Sequence, residues 1–223
     1  MSKSGLQGAP VATAPDEGAD TLAARAARRP LGNREAAYTD EVNRLLDAGM
    51  ALMQRSGTES SPRVADIVRE AGLSNYVFYR HFASKHDLVA AIVERGLHGV
   101  ISYLQHQMGK ETDPEAKIGR WVEGLMRQAG NEAAAHTARA VMWNDDQLAG
   151  PARVHTLETR GLLASLLEAP LTDAGSDDPA RDTTTIAAAA MARMEDFLFR
   201  GDIPQQADID HLVSFCLAAI RRR

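Results

Sequence analysis

Asn75, Tyr76, Tyr79 and Arg80 sit within six residues of each other, at the three- and four-residue spacings that share one side of a helix. An amide, two phenols and a guanidinium presented together suit hydrogen bonding to base edges and phosphates. The surrounding segment, residues 71–86, adds His81, Lys85 and His86 and holds no acid. A second cationic stretch, residues 25–34, carries Arg25, Arg28, Arg29 and Arg34, again without an acid. The implied chemistry is non-covalent recognition of a polyanion. The net charge of −5 shows that this is a local footprint on an acidic body, not a generally basic chain.

Bond-making chemistry finds little to work with. There is no Walker-type phosphate loop, dinucleotide glycine fingerprint, nucleophile elbow or HExxH helix. The seven histidines include no i,i+4 pair, so no metal site and no cofactor are expected. His211 and Cys216 are five residues apart, which on a helix turns them to different sides. Cys216 is the only cysteine and excludes an internal disulfide, which fits a reducing cytoplasm. No apolar run approaches the ~18 residues of a membrane span. An enzyme, or a helical small-molecule binder with no role at DNA, is the weaker alternative.

The elements that must position these side chains read as helices throughout. Residues 1–33 are rich in Ala, Gly and Pro and are expected to form a disordered arm, because they have too little apolar bulk to offset their ordering entropy. A first helix is predicted from about Arg34 to Arg55, with Tyr38, Val42, Leu45, Leu46, Gly49 and Met53 on its apolar face. A short helix follows, capped by Ser61 with Pro62 in its first turn, and Gly72 stops it. Ser74 caps another, which carries Val77, Phe78 and Phe82. Ser84, with Asp87 three residues on, caps a long helix to about Met108. Two short helices joined at a glycine make a helix-turn-helix, with Leu73, Val77 and Phe78 in the wedge between them. Further helices are predicted near 113–129, 132–143, 152–168, 179–199 and 206–222.

Here the sequence resembles the TetR/AcrR family of one-component transcriptional regulators. Leu45-Leu46-Asp47-Ala48-Gly49 with Leu52-Met53 and Gly57 looks like that family's first-helix signature. Asp66-Ile67-Val68 with Ala71-Gly72-Leu73-Ser74 resembles its helix-turn-helix. Phe78-Tyr79-Arg80-His81-Phe82, followed by Ser84-Lys85 and Asp87-Leu88, resembles its most diagnostic string. The resemblance covers about residues 34–96. Val68, Tyr76, Val77 and Met53 depart from the usual small, hydroxyl or Phe residues. The resemblance implies an all-α chain: an N-terminal three-helix DNA-binding domain over 34–96, then a helical effector-binding and dimerisation domain over 97–223. It implies that Tyr79, His81 and Lys85 touch phosphates, and that Asn75, Tyr76 and Tyr79 reach the major groove. It further implies a cytoplasmic homodimer that binds a double-stranded palindromic operator, most simply as a repressor, and is released by a small-molecule effector.

The C-terminal half offers expectations of its own. Trp121, Met126, Met142, Trp143, Leu162 and Phe197 are candidates to line an effector pocket, whose few polar neighbours suggest an apolar effector. Ala189, Met191 and Met194, from an alanine-rich helix, and Leu212, Phe215 and Cys216, from the last one, are candidates for a dimer interface.

Overall fold

A computed structural model describes the backbone of residues 22–220 and the side chains of residues 34–220. The described residues form ten α-helices and no strand: α1 (Leu22–Ser56), α2 (Val64–Ala71), α3 (Asn75–His81), α4 (Lys85–Met108), α5 (Pro114–Met126), α6 (Glu132–Asp146), α7 (Gly150–Ser165), α8 (Glu168–Asp173), α9 (Pro179–Arg200) and α10 (Gln206–Ile220). A short 3-10 turn, Arg127–Ala129, follows α5.

The chain divides into two units, residues 1–42 and 43–223. In the first, helix α1 begins at Leu22, twelve positions before the expected start at Arg34. Ala, Leu and Arg dominate residues 22–29 and are among the strongest helix formers, a preference that needs no burial. The rest of the expected disordered arm, residues 1–21, lies outside the described residues. Tyr38, expected on the apolar face, is exposed.

In the second unit, the end of α1 packs with α2, α3 and α4 around Leu45, Met53, Ile67, Phe78, Leu88 and Ile92, all fully buried. The α1–α4 seam is close. A Cβ at Gly49 would stand 2.7 Å from Ile92 Cδ1 and 3.1 Å from Leu88 Cδ2, so a side chain there would push the helices apart. Helix α4 has 24 residues and is therefore about 36 Å long by its rise per residue. Its first half belongs to this small core. Its second half, through Ile101, Leu104 and Met108, enters a larger core with α5, α9 and α10. There α5 crosses α4 at Gly124, where a Cβ would lie 2.4 Å from Leu104 Cδ2.

Several local expectations are refined. Helix α2 starts at Val64 with Arg63 as N-cap and no side-chain cap bond, so Ser61 does not cap it. The helix predicted over 152–168 ends at Ser165, and a separate short helix, α8, follows. Pro170 sits in the first turn of α8, where its missing N–H has no intrahelical acceptor to serve. Residues 221–223 lie outside the described residues.

Candidate DNA-binding surface and internal cavity

The turn between α2 and α3 is built by local chemistry. Gly72 adopts φ +63° and ψ +37°, the left-handed conformation that most side chains avoid. The backbone closes around it, with Leu73 N–H donating to the Val68 carbonyl at 2.9 Å and Gly72 N–H to that of Arg69 at 3.2 Å. Ser74 Oγ then accepts from Val77 N–H at 3.3 Å and starts α3. A long-range contact completes the turn. The Arg44 guanidinium donates from Nε and Nη2 to the Ala71 carbonyl, at 3.1 and 2.7 Å, and from Nη2 to the Gly72 carbonyl at 3.1 Å. One cation thus binds the carbonyls at the end of α2, where the helix dipole is negative. No motif in the sequence marked Arg44 for this task.

Phe78 is fully buried and anchors α3 from below. Its ring meets Tyr79 edge-on at 5.2 Å and lies 5.8 Å from Phe82. The opposite side of α3 is open. Asn75 and Arg80 are exposed, and Tyr76 and Tyr79 are 75% and 58% exposed. The Arg80 guanidinium lies 5.8 Å from the Tyr76 ring centroid, within cation–π range. His81 and Lys85 are half-buried, and Lys85 Nζ donates to Ser61 Oγ at 3.1 Å. Ser61 therefore steadies Lys85 instead of capping α2. Ser84 Oγ accepts from Asp87 N–H at 3.2 Å and donates to the Asp87 carboxylate at 3.0 Å, fixing the start of α4 just before Lys85. Of the six residues singled out, five thus fall on α3 and the sixth, Lys85, opens α4.

A cavity of about 530 Å³ lies deeper in the same unit. Its apolar wall includes Met50 of α1, Val93 and Leu97 of α4, Val141 and Met142 of α6, and Met191 and Met194 of α9. Its floor space comes from Gly96, Ala133, Ala134 and Ala138, which leave room where larger residues would fill it. Of the expected pocket residues only Met142 is there. Trp121 and Met126 are fully buried in the main core, and Trp121 Nε1 donates to the Leu163 carbonyl at 3.1 Å. Phe197 is also core, under the Arg193 guanidinium. Leu162 faces solvent, whereas its neighbour Leu163 lines the cavity. Trp143 is half-buried and outside the lining.

The expected interface residues also separate. Met191 and Met194 line the cavity, and Cys216 is fully buried in the core. Burial pushes the Cys216 thiol up to about 11. Ala189, Leu212 and Phe215 border a surface groove with Arg193, Asp208 and His211. Phe215 and Phe199 are 61% and 50% exposed, and Ala188, Ala192, Ala218 and Ala219 are exposed beside them on α9 and α10.

At one end of the cavity the wall is charged. Asp145 is completely buried, and its Oδ2 accepts from Arg153 at 3.0 Å and from Arg160 at 2.6 Å. Glu195 lies 3.9 Å from Arg160, and burial raises its pKa while Arg160 opposes that rise. Gln54, in the last turn of α1, holds α6. Its Nε2 donates to Thr137 Oγ1 at 3.1 Å, and His136 Nε2 donates to the Gln54 carbonyl at 2.6 Å. Among the described residues no group of His, Cys, Asp and Glu side chains is arranged to hold a metal ion, and no helix is long and apolar enough to cross a membrane.

Residues 45–92 match the family described as bacterial regulatory proteins, tetR family. The match runs from the end of α1 through α2 and α3 into the first turns of α4. Solved structures share the fold over most of their length. A FadR transcriptional regulator from Bacillus subtilis, in complex with stearoyl-CoA, is 15% identical, with a TM-score of 0.62 over 80% of this chain and 97% of its own. RolR in complex with resorcinol is 18% identical, with a TM-score of 0.61 over 84% of this chain and 90% of its own. SCO4454, a TetR-family transcriptional regulator from Streptomyces coelicolor, is 17% identical, with a TM-score of 0.60 over 82% and 96%. No curated protein matches the chain. Residues 45–92 thus carry a DNA-binding domain of the tetR type, on a chain whose fold is shared with solved transcriptional regulators.

Proposed function

We propose that this protein is a repressor that binds an inverted-repeat operator as a homodimer and releases it when a small, largely apolar molecule occupies the cavity. The observation that carries this reading is the sharing of two helices. Met50 of α1 and Val93 of α4 line the cavity, while the same helices pack the core under the exposed face of α3. In this reading Asn75, Tyr76 and Tyr79 enter the major groove, and Arg80, His81 and Lys85 serve phosphates. The cavity falls within the size range of small-molecule sites. Its effector is a compound of modest size, comparable to resorcinol, the ligand held by RolR.

One α3 helix makes too few base contacts for useful specificity, and a two-fold dimer doubles them. The exposed Phe199 and Phe215, set among alanines, support α9 and α10 as the dimer face. The test is selection of bound duplexes from a random pool by the purified protein, with Lys85→Ala in parallel. An inverted repeat recovered by the native protein and lost with Lys85→Ala supports the reading. No enrichment at low salt refutes it. Sedimentation supplies the second arm: Phe215→Glu is expected to yield a folded monomer, and an unchanged dimer would remove α10 from the interface.

A further inference from the structure

The charged end of the cavity selects among effectors, and this step rests on the cavity being the effector site. Asp145 lies in the last turn of α6, where the helix dipole already disfavours a carboxylate. Its Oδ2 and its backbone carbonyl take up Arg153 and Arg160. Its Oδ1 is buried and has no hydrogen-bond partner among the described residues. A buried carboxylate oxygen in that state is costly, and a donor brought to it recovers the loss. Glu195 lines the same cavity, and burial disfavours its charged form. Asp145 Oδ1 therefore lacks a hydrogen-bond donor, and a donor or cation beside Glu195 would offset the burial of its charge. The arginines are already set against acids. Arg160 Nη2 is engaged by Asp145 at 2.6 Å and Nη1 faces Glu195 at 3.9 Å, while Arg153 Nη1 is shared between the Asp145 carboxylate and carbonyl. A carboxylate brought to this end of the cavity would stand beside Asp145 and Glu195, adding a third acid to the two arginines.

We propose that the effector is an apolar molecule ending in an uncharged or cationic hydrogen-bond donor, a hydroxyl or an amine, which Asp145 and Glu195 receive, and that carboxylates of the same body are rejected. The apolar portion lies along Val93, Leu97, Val141 and Met191.

The test uses three probes of one chain length, 1-decanol, decylamine and decanoate, titrated calorimetrically into the full-length protein. The alcohol and the amine are expected to bind at least tenfold more tightly than the acid. Glu195→Gln is expected to weaken the amine more than the alcohol, because the amide keeps an acceptor but loses the negative charge. Asp145→Asn is expected to weaken both, and circular dichroism checks that it remains folded. Leu97→Trp fills the cavity and is expected to abolish binding of all probes. Decanoate binding as tightly as the alcohol, and lost with Leu97→Trp, overturns the donor rule and leaves the cavity as the effector site. Binding that survives Leu97→Trp overturns the cavity itself. Failure of both alcohol and amine to bind overturns the proposal.

Discussion

Arg44→Ala tests how α3 is held. The native guanidinium makes three hydrogen bonds to two carbonyls that close the α2–α3 turn, two of them part-buried. A charged hydrogen bond contributes about 1.5–3 kcal/mol when well shielded. Arg44 is largely exposed, which reduces each bond well below that range, and two of the three share the Nη2 group. A total of about 2 kcal/mol follows, including the favourable placement of a cation at the end of α2. Urea denaturation followed by circular dichroism should show that loss. Arg44→Lys should recover less than half of it, because an ammonium cannot fork across both carbonyls. Operator affinity should fall while the dependence of log affinity on log salt keeps its slope, since Arg44 acts on the turn and not on phosphates. A loss under 0.5 kcal/mol, or full rescue by lysine, would refute the clamp.

Other substitutions separate the roles of neighbouring residues. Lys85→Ala should weaken all DNA sequences alike and lower the salt slope by about 1, whereas Tyr76→Ala should relax preference at one base position by ~1–3 kcal/mol; equal, sequence-independent losses from both would place α3 outside the groove. Cys216 should alkylate roughly a hundredfold more slowly in the native protein than in the urea-unfolded chain at pH 8, because a thiol pushed up to about 11 is scarcely ionised there. Comparable rates would show that the α10 core opens readily.

What was legible in the sequence was local. Gly72, Ser74, Ser84 and Asp87 act within three or four residues of themselves, and each adopts the expected turn or cap. Phe78 and the α3 surface follow from the same short-range pattern. The cavity was not legible, because it is made by what is missing. Ala133, Ala134, Ala138 and Gly96 create space only once α4 and α6 face each other. The large residues expected to line it, Trp121 and Met126, do what large residues usually do and fill the core. Leu162 and Leu163 show the limit from another side. Adjacent leucines on a helix with apolar residues on several faces leave open which one points inward, and only the packing of α7 decides it. Met191 and Met194 are a similar case, since an alanine-rich helix offers two usable faces.

The remaining question is how an occupant of the cavity reaches the DNA. The Gly49 seam leaves no slack between α1 and α4, and Arg44 of α1 holds the turn before α3. In the proposed reading, an occupant pressing on Met50 or on α6 is felt through these contacts at α3. Gln54 is the polar part of that link, holding α6 through Thr137 and His136. A tenfold release of DNA requires only about 1.4 kcal/mol of differential affinity between the two states. One hydrogen bond contributes about 1 kcal/mol net, enough to carry much of that coupling. Gln54→Ala removes the bond to Thr137 and leaves the backbone contact to His136. Operator affinity without effector, and effector affinity without DNA, should each change less than twofold. The effector-induced loss of operator affinity should shrink severalfold, as measured by anisotropy of a labelled operator duplex across an effector titration. Undiminished release in Gln54→Ala would move the coupling to the apolar α1–α4 seam alone, where Met50 is the next residue to change.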